Sequence, residues 1–200
     1  MDKFDQEQAD KAIMRKLESG EPLTKFDKLL GKHQQATKVV LLLDTSGSMD
    51  SPADSPGERR IDALRGVVAT LRQKQLAFRQ LSFNSDFMWT DIVPEPSGGT
   101  NLSGALDFVG QIKPEHLIIV SDGEPDSPDA AMASAKKLSC KIDVFFVGPK
   151  GSPGDAFLKQ LATSTGGTSE AVSFKELAEK VAGMLSAGTE VADTKGPIAL

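Results

Sequence analysis

The chain has 200 residues, 39% of them hydrophobic and 26% charged, which suits one ordinary domain with a sizeable core and argues against a second full domain. A formal charge of -5, with no basic cluster and no basic stripe studded with aromatics, excludes a nucleic-acid surface. No apolar run reaches the roughly 18 residues needed to cross a bilayer.

In chain order, Ala9, Ile13 and Leu17, then Leu23, Phe26 and Leu30, recur at helical spacing on either side of Ser19-Gly20-Glu21-Pro22. They predict an N-terminal extension of two short amphipathic helices over residues 1–35, folded back on the main domain or docked on a partner. His33, in a polar connector, reads as solvated. Five aliphatic residues, Val39 to Leu43, predict a strand buried on both faces, and it runs into Asp44, Thr45, Ser46, Gly47 and Ser48. Two prolines between Asp50 and Gly57 predict a loop, in which Asp50 and Asp54, followed by Glu58, read as solvated acids.

Arg60 to Arg72 carries Ile61, Leu64, Val67, Val68 and Leu71 at helical spacing. Leu76–Phe83 and Phe87–Val93 predict strands whose link, Asn84-Ser85-Asp86, is too short for a parallel return; the second strand is therefore an antiparallel edge. Asn84 and Asp86 read as turn residues. A helix over Leu102–Val109, a strand His116–Ser121 and a helix Ala130–Leu138 follow. Ile142–Val147 then predicts a strand, Asp155–Thr163 a helix, Thr168–Val172 a short strand and Phe174–Leu185 a closing helix.

This alternation predicts an α/β domain over residues 36–186. It has three layers, with a doubly wound, mostly parallel central sheet and one antiparallel edge strand. Residues 187–200, small and polar, read as a flexible tail.

In such a sheet, ligands gather beyond the carboxyl ends of the strands. Asp44, Ser46 and Ser48 lie there, and alternation along an extended segment would turn all three side chains to one point. A carboxylate and two hydroxyls are hard oxygen donors suited to a magnesium-like cation that takes about six ligands. Two later loops offer more: Ser97-Gly98-Gly99-Thr100 supplies Thr100, and a second buried strand ends in Ser121-Asp122-Gly123. Each stretch alone fits an ordinary local role, with Asp44 to Ser48 as a turn, Thr100 as a helix N-cap and Asp122-Gly123 as a tight turn.

The pattern Asp44-x-Ser46-x-Ser48, then Thr100, then Asp122, resembles the metal-ion-dependent adhesion site of von Willebrand factor type A (vWA) domains of the cytoplasmic bacterial or phage type. The likeness spans residues 38–186. It implies a Rossmann-like fold with its antiparallel edge strand, and a Mg2+ ion, or Mn2+ or Ca2+, held by those five side chains. It also implies attachment of a partner protein through that partner's Asp or Glu. In related cytoplasmic bacterial members the partner is often a ring-forming ATPase or a complex being assembled, and no residue here identifies it.

The alternative is a magnesium-dependent phosphatase-like hydrolase. That chemistry wants a second Asp two places after the first, where Ser46 stands, and a later pair of acids, where Gly123 follows Asp122. A general base is also wanting, since neither His lies in the three loops and His116 is at the far end of its strand. A protein-binding module rather than an enzyme is expected. The amino terminus lacks a hydrophobic signal core and Cys140 is the only cysteine, so a reducing cytoplasm is expected, with Cys140 a small core residue.

Overall fold

The computed structural model describes residues 39–53 and 55–190, with residues 187–190 described by backbone alone. The predicted extension over residues 1–35 lies outside the described residues, as do Asp54 and residues 191–200.

Among the described residues six strands form one sheet: β1 (Val39–Asp44), β2 (Arg79–Phe83), β3 (Phe87–Trp89), β4 (His116–Ser121), β5 (Lys141–Phe146) and β6 (Ser169–Ala171). Their order is β3-β2-β1-β4-β5-β6. Only the β2–β3 pairing is antiparallel, and it puts β3 at the edge as the three-residue link requires. Every residue of β1 is buried, because this strand lies between β2 and β4 with helices on both faces.

Side-chain alternation divides the core. Leu41, Leu43, Ile118, Val120 and Phe145 face α1 (Arg60–Gln73) and α5 (Phe174–Glu190). Val40, Leu42, Leu117, Ile119 and Val144 face α2 (Leu102–Gly110), α3 (Pro128–Lys137) and α4 (Pro153–Ser164). The one-residue offset between the two sets is the period of two expected of a strand.

Three element ends differ from expectation by more than two residues, each for a local reason. Strand β2 starts at Arg79 rather than Leu76, because residues 74–76 close the preceding helix. Gln75 takes a left-handed conformation at φ 54°, and the Leu76 N–H reaches back to the Leu71 carbonyl at 3.3 Å. Strand β3 stops at Trp89, where Thr90 Oγ1 accepts the Ile92 N–H at 3.0 Å and turns the chain away. The last helix continues to Glu190 instead of ending near Leu185, since no proline interrupts the sequence before Pro197.

The topology has a single consequence for function. The chain leaves β1 toward β2 on one side, and β4 begins the run to β5 and β6 on the other, so strand order switches between β1 and β4. In an open sheet such a switch makes the crevice where ligands gather, beyond the carboxyl ends of the two strands, and Asp44 and Asp122 lie at those ends.

Candidate functional site

Asp44 ends β1 fully buried. Its Oδ1 accepts the Ser46 N–H at 2.9 Å and its Oδ2 accepts the Ser121 hydroxyl at 2.6 Å. Burial pushes its carboxyl up from the ordinary 3.8 to about 6; the bonds from Ser121 and Ser46 pull it down less, and the Asp122 charge adds to the rise. An acid held this way favours a cation beside it.

Beyond Ser46 the chain does not stay extended, contrary to the expectation from alternation. Gly47–Asp50 forms a 3₁₀ turn, and the turn swings Ser48 back toward Ser46. The two hydroxyl oxygens come to 3.0 Å, and Ser48 Oγ donates to Asp122 Oδ1 at 2.7 Å. Arg60 Nη1, from the first residue of α1, donates to Asp122 Oδ2 at 2.6 Å. Asp44, Ser46, Ser48 and Asp122 therefore meet in one cluster, joined by Ser121 and Arg60.

Thr100 is not joined to these four by any side-chain bond; it lies on the second loop, which backbone bonds tie to the first and third. The Gly47 N–H donates to the Gly98 carbonyl at 3.1 Å, tying the first loop to the second. Thr100 N–H donates to Asp126 Oδ1 at 2.9 Å, and Asp126 N–H returns to the Thr100 carbonyl at 3.1 Å, tying the second loop to the third. Gly98 has φ 68°, a conformation costly for any residue with a Cβ, and an added Cβ would sit 2.6 Å from Ser85 Oγ. Asn84, expected as a turn residue, accepts the Asp86 N–H at 2.8 Å in its own turn. It also braces the second loop, its carbonyl accepting the Asn101 N–H at 2.7 Å.

The ordinary local roles account for only part of these residues' bonding. Helix α2 is capped by Asn101, whose Oδ1 accepts the Gly104 N–H at 3.0 Å, so Thr100 is not the cap. Asp122 spends both oxygens on Ser48 and Arg60, which are distant in sequence, rather than on a turn of its own. Asp44 does close a local turn onto Ser46, yet its second oxygen is held across the sheet by Ser121. Asp50 pairs with Arg59 at 3.0 Å on the surface, as a solvated acid would.

Residues 84–171 match the family model described as the von Willebrand factor type A domain, a stretch that includes Thr100 and Asp122 and begins after the first loop. Among solved structures, the manganese-loaded TRAP protein of Plasmodium vivax superposes with a TM-score of 0.54 at 18% identity, over 74% of this chain and 72% of that one. A von Willebrand factor type A protein from Catenulispora acidiphila gives a TM-score of 0.57 at 17% identity. That superposition covers 75% of this chain but only 42% of the other. The fold is vWA-like. No curated protein matches the chain.

Whether the oxygens of this vWA-like domain suit a six-coordinate dication can be judged from their spacing. Ligands at right angles around Mg2+, each at 2.0–2.1 Å, lie about 3 Å from one another. Ser46 Oγ and Ser48 Oγ are 3.0 Å apart, and Ser48 Oγ and Asp122 Oδ1 are 2.7 Å apart, so three oxygens already have the spacing of neighbouring ligands. The set is poor in charge. Among the described residues no three His, Cys, Asp or Glu side chains are grouped to hold a metal, and the site relies on two carboxylates and hydroxyls.

Three contributors were not singled out by sequence. Ser121 was legible as part of the β4 terminus but not as the hydroxyl that holds Asp44. Asp126, four residues after Asp122, carries no local sign that it anchors the Thr100 loop. Arg60 read as the start of a helix. A signal for it existed, since a cation in the first turn opposes the helix dipole and calls for a nearby anion.

Proposed function

We propose that this vWA-like domain is a divalent-cation-dependent protein-binding module. Ser46, Ser48 and Thr100 would offer hydroxyl oxygens to the cation, and Asp44 and Asp122 would hold it directly or through water. The observation that carries this is the chain of oxygens Ser46–Ser48–Asp122 at ligand spacing, set at the switch point of the sheet beside a buried carboxylate. The manganese found with the structurally similar TRAP protein supports a cation here, with Mg2+ as the proposed cellular ion. The vWA family often mediates metal-dependent protein binding, which supports the reading of an adhesion site.

When bound, the cation would supply an open coordination position for an acidic side chain of a partner. In a partly dried interface such a bond is worth far more than an exposed ion pair. The partner is proposed to be a protein presenting Asp or Glu, of the kind found on a ring-forming ATPase or a complex under assembly, in the cytoplasm. Among the described residues no helix is long and apolar enough to cross a membrane, and Cys140 is a free, buried thiol.

Binding rather than hydrolysis is proposed because Asp44 is fully buried with both oxygens engaged, a poor posture for a nucleophile. His116 is remote, paired with Asp143 at 2.7 Å at the opposite end of the sheet. The deciding experiment is thermal melting with Mg2+ or Mn2+ against chelator. Ligand at a hundredfold its Kd should stabilise the native chain by about 2.7 kcal/mol, and Asp44→Ala and Thr100→Ala should abolish that gain while still melting cooperatively. A metal-insensitive melt of the native chain would refute the site, and turnover of a generic aryl phosphate lost in Asp44→Asn would favour the hydrolase.

A further inference from the structure

Both oxygens of Asp122 are already engaged by the protein, Oδ1 by Ser48 Oγ at 2.7 Å and Oδ2 by Arg60 Nη1 at 2.6 Å. The ion pair is enclosed, with the Asp122 side chain 0% and the Arg60 side chain 16% exposed. It therefore differs from the pairs that Arg59 and Arg65 make with Asp62 and Glu95, where every partner is at least 30% exposed and water screens the charges. Arg60 also stands at the start of α1, where the helix dipole disfavours a cation. Helix stability gives no reason for it to be there, and Asp122 does.

The charge balance then has a definite form. Asp44 and Asp122, when ionised, bring two negative charges to the crevice, and Arg60 returns one positive charge. We propose, resting on the reading of this crevice as a dication site, that Arg60 sets the net charge of the loaded site so that it calls for one outside carboxylate. With Arg60 the protein's own groups sum to minus one, and a dication leaves plus one, which a single Asp or Glu neutralises. Without it the loaded site is already neutral. Arg60 is thus a positioning residue that holds Asp122 by Oδ2 and makes cation and carboxylate binding interdependent.

The test is a Mn2+ titration of the full chain, followed by the electron paramagnetic resonance signal of free Mn2+. Native protein, Arg60→Gln and Arg60→Lys are compared in chloride and in acetate at equal ionic strength, acetate being the carboxylate probe. Arg60→Gln should bind Mn2+ about tenfold more tightly than the native chain in chloride, and acetate should tighten the native chain more than the variant. Arg60→Lys, which keeps the charge, should stay within about twofold of native. Equal or weaker Mn2+ binding by a folded Arg60→Gln, or a tenfold tightening in Arg60→Lys, would overturn the role of Arg60. Absence of Mn2+ binding in all three proteins would overturn the cation site itself, a separate outcome.

Discussion

Asp44 is the residue on which the site's behaviour turns. Its carboxyl is pushed to about 6 chiefly by burial, so the native state holds a proton that the unfolded chain releases near 3.8. Between those values the native state binds more protons than the unfolded one, and the stability contributed by this group falls as pH rises. Above about pH 6 the full cost of a buried charge is in place, and the proposed cation would relieve it. Two measurements follow from this sign. Urea denaturation in chelator should show a contribution from Asp44 that declines from pH 4 to pH 6 and is absent in Asp44→Asn. Mn2+ affinity, measured by calorimetry, should weaken progressively below about pH 6 as protons compete for the carboxylate.

At the scale of elements, the site depends on three loops held at fixed separations by helix starts and strand ends. Helix α2 fixes the second loop, because Asn101 caps it while its own N–H is held by the Asn84 carbonyl. Asn101→Ala removes the cap and should cost about 1 kcal/mol in denaturant melts. Cation affinity should weaken with it, since the neighbouring Thr100 loses part of its support. The 3₁₀ turn of Gly47–Asp50 has a similar task for Ser48. Its own backbone bonds, Met49 N–H to the Ser46 carbonyl at 3.1 Å and Ser51 N–H to the Ser48 carbonyl at 3.0 Å, hold the hydroxyl in the cluster.

For the whole molecule, stability and site are separable. The core lies along both faces of the sheet, while the cluster lies beyond the carboxyl ends of β1 and β4. Leu42→Ala, a fully buried truncation on the α2–α4 face two residues from Asp44, should cost about 2–5 kcal/mol in denaturant melts. Mn2+ affinity per folded molecule should change by less than threefold. The opposite end of the sheet carries its own polar cluster, in which Asp143 accepts from Thr168 N–H at 2.7 Å and pairs with His116 and with Lys141 at 2.9 Å. Burial would raise the Asp143 carboxyl, yet the bonds from Lys141, Thr168 and His116 outweigh it and hold the group below its usual range. That cluster ties β4, β5 and the approach to β6 together at the end of the sheet away from the candidate site.

Much of this was written in local pattern. Five aliphatic residues before Asp44 made a buried strand, a three-residue link forced an antiparallel edge, and regular alternation of strand and helix made a mostly parallel sheet, because hydrophobic period and loop length act over a few residues. Asp44, Ser46, Ser48, Thr100 and Asp122 could be named for the same reason, as oxygen donors at strand and loop ends. Only the folded chain showed that Ser48 arrives by a 3₁₀ turn rather than by extension, that Ser121 and Asp126 brace Asp44 and Thr100, and that Arg60 sits on Asp122. Those contacts join residues as far apart as Asp44 and Ser121, and sequence spacing carries no distance between groups that meet only when β1 and β4 pair.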